Sequence, residues 1–251
     1  MTRPPRTAVI FCAGFGTRLA SHAAGRPKPL VPIAGVTMLD RAMTLARKVG
    51  ASKIFVNTHH LASQVANHLA DEPDTFVSHE EPRILDTGGG LKQMAGRLDE
   101  AAVYTINPDA VWVGPNPLDR LAASWDDSRM GALLMLVPAA SAHGHDGKGD
   151  FRLEENGSVR RCSPGDPGLV YGGAQIVRVD EVRKFPGTAF SLNAVWDVLL
   201  ASKRLYGTVY EGSWIDTGNP LGLAIAEETL SNGSSPGLHS VAHDPQVGKA
   251  A

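Results

Sequence analysis

Cysteine, aromatic side chains and long apolar runs are all scarce in this chain, and each scarcity removes a class of protein. The two cysteines, Cys12 and Cys162, stand far apart among 251 residues and form no C-x-x-C, so neither a disulfide framework nor a zinc site is indicated. No stretch approaches the roughly 18 uncharged apolar residues of a membrane span. The run "TAVIFCAG" (7–14) is short and lacks the cleavage region of a secretory leader. A cytoplasmic protein without a membrane partner is the expectation. Charge imbalance is small too: 24 Lys and Arg face 26 Asp and Glu, for a net charge of −2. Such a field draws in neither nucleic acid nor an anionic lipid surface, so a bound anion must be held by local geometry. Trp112, Trp196 and Trp214 have no basic stripe beside them and read as core or pocket wall rather than a stacking platform for bases. His59 with His60, and His143 with His145, lack a third ligand at metal-binding spacing, which leaves them solvated or capping roles.

What the chain does contain is a series of short runs rich in β-branched residues: "TAVIF" (7–11), "KIFVN" (53–57), "AVYTI" (102–106), "ALLMLV" (132–137) and "GAQIV" (173–177). Runs of this kind fit strands buried on both faces. Helical patterns lie between the first of them. "MLDRAMTLARKVG" (38–50) places Leu39, Met43, Leu45, Ala46 and Val49 on one stripe and stops at Gly50, and "LASQVANHLA" (61–70) repeats the pattern with Leu61, Val65 and Leu69. Alternating strands and helices predict right-handed βαβ units, a mostly parallel sheet covered by helices, and a ligand site at the carboxyl ends of the strands. Beyond about residue 140 the texture turns to Gly, Pro and charged residues, predicting hairpins and loops over the sheet. "LGLAIAEETL" (221–230) returns to helix, and 231–251 reads as a poorly ordered tail. At this length the chain allows one large or two small domains, and a single body over 1–230 is expected.

Chemistry is concentrated in "FCAGFGTRLASHAAGRPKPLVPIAG" (11–35). A glycine turn after a strand exposes backbone N–H groups, and bare Cα atoms at Gly14 and Gly16 let a phosphate come close. Two familiar phosphate loops are excluded. No Lys-Ser or Lys-Thr follows these glycines, and the third glycine of G-x-G-x-x-G is Leu19. Pro27 and Pro29 frame Lys28 and are expected to keep it out of helix, presented from an extended segment. An ordinary solvated surface lysine is the alternative. Asp109 follows the run 102–106 and Asp216 precedes the last helix; by themselves they suit a turn and a helix cap more readily than a magnesium site. "DTGGG" (86–90), just before "LKQMAGRL", suits close approach of a flat base or a tight loop ahead of a helix.

Six ordered blocks, "AGFGTRL…RPKPLVPIAG", "VNTHHLASQV", "LDTGGGLKQM", "INPDAVW", "GHDGKGDFRL" and "GSWIDTGNP", cover nearly all of residues 7–228. Together they resemble the sugar-1-phosphate nucleotidyltransferases, and most of all the N-acetylmuramate 1-phosphate uridylyltransferase branch that serves bacterial cell-wall recycling. The resemblance implies a three-layer α/β/α Rossmann-like fold with a mostly parallel, mixed central sheet, acting as a monomer on a nucleoside triphosphate and a sugar 1-phosphate with Mg²⁺. It implies catalytic roles for Arg18 and Lys28, and metal binding by Asp109 and Asp216. Cys12, Ala13, Gly14, Gly16, Thr17, Asp86, Thr87, Gly88 and Gly89 would hold the nucleotide. Asn107, Gly149, Asp150 and Asn193 would hold the sugar, while Lys148 reads as a solvated loop residue. Two positions depart from the family pattern. Cys12 replaces an alanine, a small apolar exchange. Pro108 stands between Asn107 and Asp109, where its fixed φ and missing N–H would tilt Asp109 or remove a backbone contact. A guanylyl- or cytidylyltransferase for another phosphorylated sugar or alcohol, and a nucleotide-binding paralogue that has lost its chemistry, are the alternative readings.

Overall fold

The computed structural model describes residues 3–232 except 164 and 166. Its strands, in chain order, are β1 (Thr7–Phe11), β2 (Pro32–Ile33), β3 (Val36–Thr37), β4 (Lys53–Thr58), β5 (Thr75–His79), β6 (Ala102–Ile106), β7 (Ala110–Val113), β8 (Ala132–Pro138), β9 (Ala142–His143), β10 (Phe151–Leu153), β11 (Val159–Arg161), β12 (Leu169–Arg178), β13 (Leu205–Val209) and β14 (Ser213–Asp216). The helices are α1 (Ala20–Ala23), α2 (Met38–Lys48), α3 (Ala62–His68), α4 (Asp86–Met94), α5 (Pro117–Ser124), α6 (Val179–Lys184), α7 (Leu192–Ala201) and α8 (Pro220–Ser231).

Nine strands form one mixed sheet. Strands β6, β1, β4 and β5 lie side by side and parallel, while the long β12 runs antiparallel to β6 on one edge and to β8 on the other. β13 extends the sheet beyond β8 in parallel, and the β10–β11 hairpin joins at the start of β12. Because β1 is covered on both sides, its residues are apolar without alternation: Ala8 and Ile10 enter one core with Leu39, Met43 and Val56, and Val9 enters the other with Leu91, Met94 and Trp196. Three layers result, with the sheet between two sets of helices. A separate three-stranded sheet, β7–β14–β9, and the β2–β3 hairpin complete the described residues.

One irregularity shapes the region above the strand ends. The pairing of β12 with β8 shifts register between Tyr171 and Gln175, at Gly172 and Gly173. Gly173 has φ +86°, and its carbonyl accepts the Asn107 N–H at 2.7 Å. The Gly172 carbonyl accepts Trp214 Nε1–H at 2.9 Å, which ties β14 to the bulge. The bulge thus anchors both Asn107 and the small sheet over the site.

The expected strands at 7–11 and 102–106 match β1 and β6, while that at 173–177 extends to 169–178. Two local expectations are corrected. Gly88, Gly89 and Gly90 lie inside the first turns of α4 rather than in a loop before it. Lys28 opens a single 3₁₀ turn over Lys28–Leu30 instead of sitting in an extended segment, and the extended residues are those flanking the turn, Pro27 (φ −66°, ψ 146°) and Val31. A proline at the second position of such a turn sits where its missing N–H is not needed, so Pro29 permits what it was expected to prevent. The predicted tail begins at 231, which is the last residue of α8, and its residues 233–251 lie outside the described residues. Among the described residues no helix is long and apolar enough to cross a membrane.

Candidate active site

The loops leaving β1, β4 and β6 converge at the carboxyl edge of the parallel strands, as the crossover rule requires. The loop after β1 begins closed and ends open. Cys12 and Ala13 are buried, and Gly14 is exposed. Burial pushes the Cys12 thiol up from its ordinary range, and the nearby negative charge of Asp109 adds to the shift, so the side chain stays neutral. The Cys12 N–H donates to Asn57 Oδ1 at 2.7 Å. A cavity of about 200 Å³ opens beside this loop, with Ala13 and Gly14 on one wall, Asp86 and Thr87 on another, and Asn107 and Asp109 at its end.

Gly16 has φ +64°, and a Cβ there would lie 2.6 Å from Lys28 Cβ. The glycine therefore seats the lysine stem against the loop. Thr17 opens the 3₁₀ turn Thr17–Leu19, which buries Leu19 and leaves Thr17 and Arg18 exposed. Lys28 is largely buried and forms an ion pair with Asp109. Asp109 and Asp216, distant in sequence, are neighbours because β14 pairs antiparallel with β7, opposing Asp216 to Ala110. The Thr217 N–H donates to the Asp109 carbonyl at 3.0 Å and extends that pairing past the strand end. Pro108 lines the cavity without taking Asp109 out of reach of Lys28.

The charged groups meet at Gly218. A Cβ at this residue would lie 2.8 Å from Asp216 Oδ1, 3.0 Å from Arg18 Nη2 and 3.2 Å from Lys28 Nζ. The Gly218 N–H donates to Asp216 Oδ1 at 2.8 Å, and His145 Nδ1 stands 3.5 Å from Asp216 Oδ2. His145 also meets the Trp214 ring edge-on. Parallel pairing of β9 with β14 is what brings the 143–145 segment to Asp216. Two cations gathered here can align and neutralise a polyphosphate, while the two carboxylates can hold a divalent cation. Among the described residues no three His, Cys, Asp or Glu side chains gather as a closed metal site. Two hard carboxylates fit Mg²⁺, which takes one or two of them and completes its shell with water and substrate phosphate oxygens.

Other expected residues are placed differently. The Gly88 and Gly89 N–H groups donate to the Phe190 carbonyl at 2.9 and 3.0 Å, and segment 188–190 covers both Cα atoms. Asp86 adopts φ +62° and accepts the Thr87 N–H at 2.6 Å, while Thr87 Oγ1 accepts the Leu192 N–H at 3.0 Å. Asn107 reaches the cavity; Gly149, Asp150 and Asn193 do not line it. Asp150 Oδ2 accepts the Tyr171 N–H at 2.8 Å, Gly149 (φ +100°) packs on the Gly168 backbone, and Asn193 sits exposed beside Ser191 Oγ on the first turn of α7. His145, expected in a solvated or capping role, stands instead against Asp216, and two residues carry no expectation from the sequence: Asn57 and Glu80. Asn57 lay within the block "VNTHH", which was the available signal. Glu80 gave none, because nothing in the sequence says that a glutamate two residues before a proline is fully buried.

Residues 8–209 match the family model described as MobA-like NTP transferase domain. The chain is 32% identical over 240 residues to the N-acetylmuramate alpha-1-phosphate uridylyltransferase of Caulobacter vibrioides, covering 92% of this chain and 99% of the relative. It is 28% identical over 229 residues to the protein of the same name from Neisseria meningitidis, covering 88% and 96%. The fold also superimposes on the UTP-bound UGPase of Acinetobacter baumannii with a TM-score of 0.74 at 15% identity, covering 92% of this chain and 95% of that one.

Proposed function

We propose that this chain, which belongs to the MobA-like NTP transferase domain family and is a nucleotidyltransferase, joins UTP to N-acetylmuramate 1-phosphate and releases pyrophosphate. The observation that carries the reading is the meeting of Arg18, Lys28 and Asp216 around Gly218, linked by the Lys28–Asp109 ion pair to the cavity that Asp109, Gly14 and Asp86 line. The two relatives alignable over nearly the whole chain support the choice of base and sugar.

In this reading the triphosphate lies along the open tip of the glycine loop, with the nucleoside in the cavity beside Ala13, Asp86 and Thr87. An oxygen of the sugar 1-phosphate attacks the α-phosphorus, a new P–O bond forms, and the bond to the bridging β-phosphate oxygen breaks. The nucleophile is already an anion, so no residue has to remove a proton from it. Arg18 holds the leaving pyrophosphate. Lys28, oriented by Asp109 and seated by Gly16, neutralises charge on the α-phosphate. Asp109 and Asp216 would hold Mg²⁺, which, when bound, neutralises phosphate charge and orients the two substrates.

The test is pyrophosphate release with Mg²⁺, offering UTP, GTP, CTP, ATP and dTTP in turn with N-acetylmuramate 1-phosphate and a panel of other sugar phosphates. Release confined to UTP and the muramate substrate is expected. Release with a different base or sugar alone would reassign the substrates, and no release with any pair would overturn the activity.

A further inference from the structure

We propose that Glu80 is a positioning residue for the nucleotide cavity, an acceptor-only group that fixes the Asn57 amide and, through it, the glycine loop. The proposal rests on the reading that the cavity takes the nucleotide. Glu80 follows β5 and is completely buried, a place where a carboxylate is retained only if its oxygens are satisfied. Oε1 accepts Asn57 Nδ2–H at 2.7 Å and Oε2 accepts the Leu85 N–H at 2.7 Å.

The orientation of Asn57 is set by chemistry rather than by shape. The Cys12 backbone N–H can only donate, so the amide atom facing it must be Oδ1, at 2.7 Å, and the NH₂ must then face Glu80. The relay ends on both cavity walls. Cys12 precedes Ala13 and Gly14, and Leu85 precedes Asp86 and Thr87; these four residues line the cavity, as does Asn57 itself. There is no slack beside it, because a Cβ at Gly90 would lie 2.5 Å from Glu80 Oε1 and 2.7 Å from Asn57 Nδ2. The absence of a side chain at residue 90 is therefore what lets α4 close on the pair.

A glutamine at 80 has one acceptor end and one donor end. If its oxygen meets the Leu85 N–H, its NH₂ confronts the NH₂ of Asn57. Flipping Asn57 transfers the donor–donor conflict to the Cys12 N–H. No arrangement satisfies all three donors, so the conflict falls on the loop. Exchanging the two chemistries removes it. When Asn57→Asp is combined with Glu80→Gln, the glutamine oxygen accepts from Leu85 and its NH₂ donates to the carboxylate introduced at position 57. The second oxygen of that carboxylate accepts from Cys12, and total charge is unchanged.

Kinetics and calorimetric UTP binding on wild type, Glu80→Gln, Asn57→Asp and the double variant test this. Glu80→Gln should raise KM and Kd for UTP by about tenfold, with kcat within about threefold of wild type and the sugar phosphate KM unchanged. Asn57→Asp alone sets two carboxylates face to face and puts a negative charge on the cavity wall, so it should also weaken UTP binding; the double variant carries that same charge without the facing carboxylate and should bind UTP about tenfold more tightly than Asn57→Asp. Should either single variant fail to fold, the double variant must still fold and bind UTP. Unchanged UTP binding in Glu80→Gln, loss confined to thermal stability, or a folded double variant that binds UTP no more tightly than Asn57→Asp would overturn the relay alone. A wild-type protein that binds none of the nucleoside triphosphates would overturn the reading of the cavity, and the relay with it.

Discussion

The chain has two glycine clusters beside its cavity, and they use the missing Cβ in opposite ways. In the loop after β1, a Cβ at Gly14 would meet no described atom within 4 Å, and one at Gly16 would meet first the stem of Lys28. In α4, a Cβ would meet the Phe190 carbonyl at Gly88, at 2.8 Å, the Ala189 Cα at Gly89, at 3.1 Å, and the Glu80–Asn57 pair at Gly90. The first cluster faces open space and Lys28; the second faces the protein. Glycine content alone therefore does not locate a phosphate or a base. What matters is whether the space vacated by the side chain is open or already filled.

Substitutions can break or sharpen this contrast. The largest effect is expected for Lys28→Ala, which should lower kcat/KM for pyrophosphate release by about 10²–10³. Gly16→Ala should approach that loss, because a Cβ at φ +64° is strained and also displaces Lys28. A fully active Gly16→Ala enzyme would show that the lysine is not seated by the loop. Gly88→Ala should act on stability instead, losing about 1–3 kcal/mol in urea unfolding as Phe190 is pushed away. Gly14→Ala inverts that pattern. Its unfolding free energy should stay within about 0.5 kcal/mol of wild type, while KM for UTP rises severalfold.

The smallest effect concerns the closed base of the first loop. Cys162 is half-buried, whereas Cys12 is buried with its thiol pushed up by burial and by Asp109. Thiol titration of the native protein should find Cys162 and leave Cys12 until denaturant is added. The raised thiol also has a sign for stability. Once pH passes the ordinary cysteine range, the unfolded chain releases a proton that the folded chain keeps, so Cys12 favours unfolding increasingly as pH rises. A Cys12→Ala variant should show a shallower alkaline loss of stability in denaturant titrations.

Much of the architecture was legible because it depends on local pattern. The runs 7–11 and 102–106 are apolar without alternation, and the structure buries both as parallel strands of the sheet. The α2 stripe was visible for the same reason, since a period near four on one face is a property of neighbours in sequence. The 3₁₀ turn at Lys28 and the helical setting of Gly88–Gly90 were not. Proline spacing excludes an α-helix but does not distinguish a single turn from an extended segment. Three consecutive glycines weaken a helix on propensity, and here Phe190, far along the chain, accepts N–H groups of the first turn.

The same division holds for the site. The sequence by itself determined which groups could carry charge and approach a phosphate: Arg18, Lys28, Asp109, Asp216 and the glycines of the first loop, because residue type sets charge, pliancy and ligand hardness. Only tertiary structure decided which of them meet. Asp109 and Asp216 are neighbours through the β7–β14 ladder, Lys28 is aimed by contact with Gly16, and Glu80 reaches the loop after β1 through Asn57. Each of these meetings joins segments separated along the chain, and the free energy that holds it comes from strand pairing and burial, which exist only once those segments have come together.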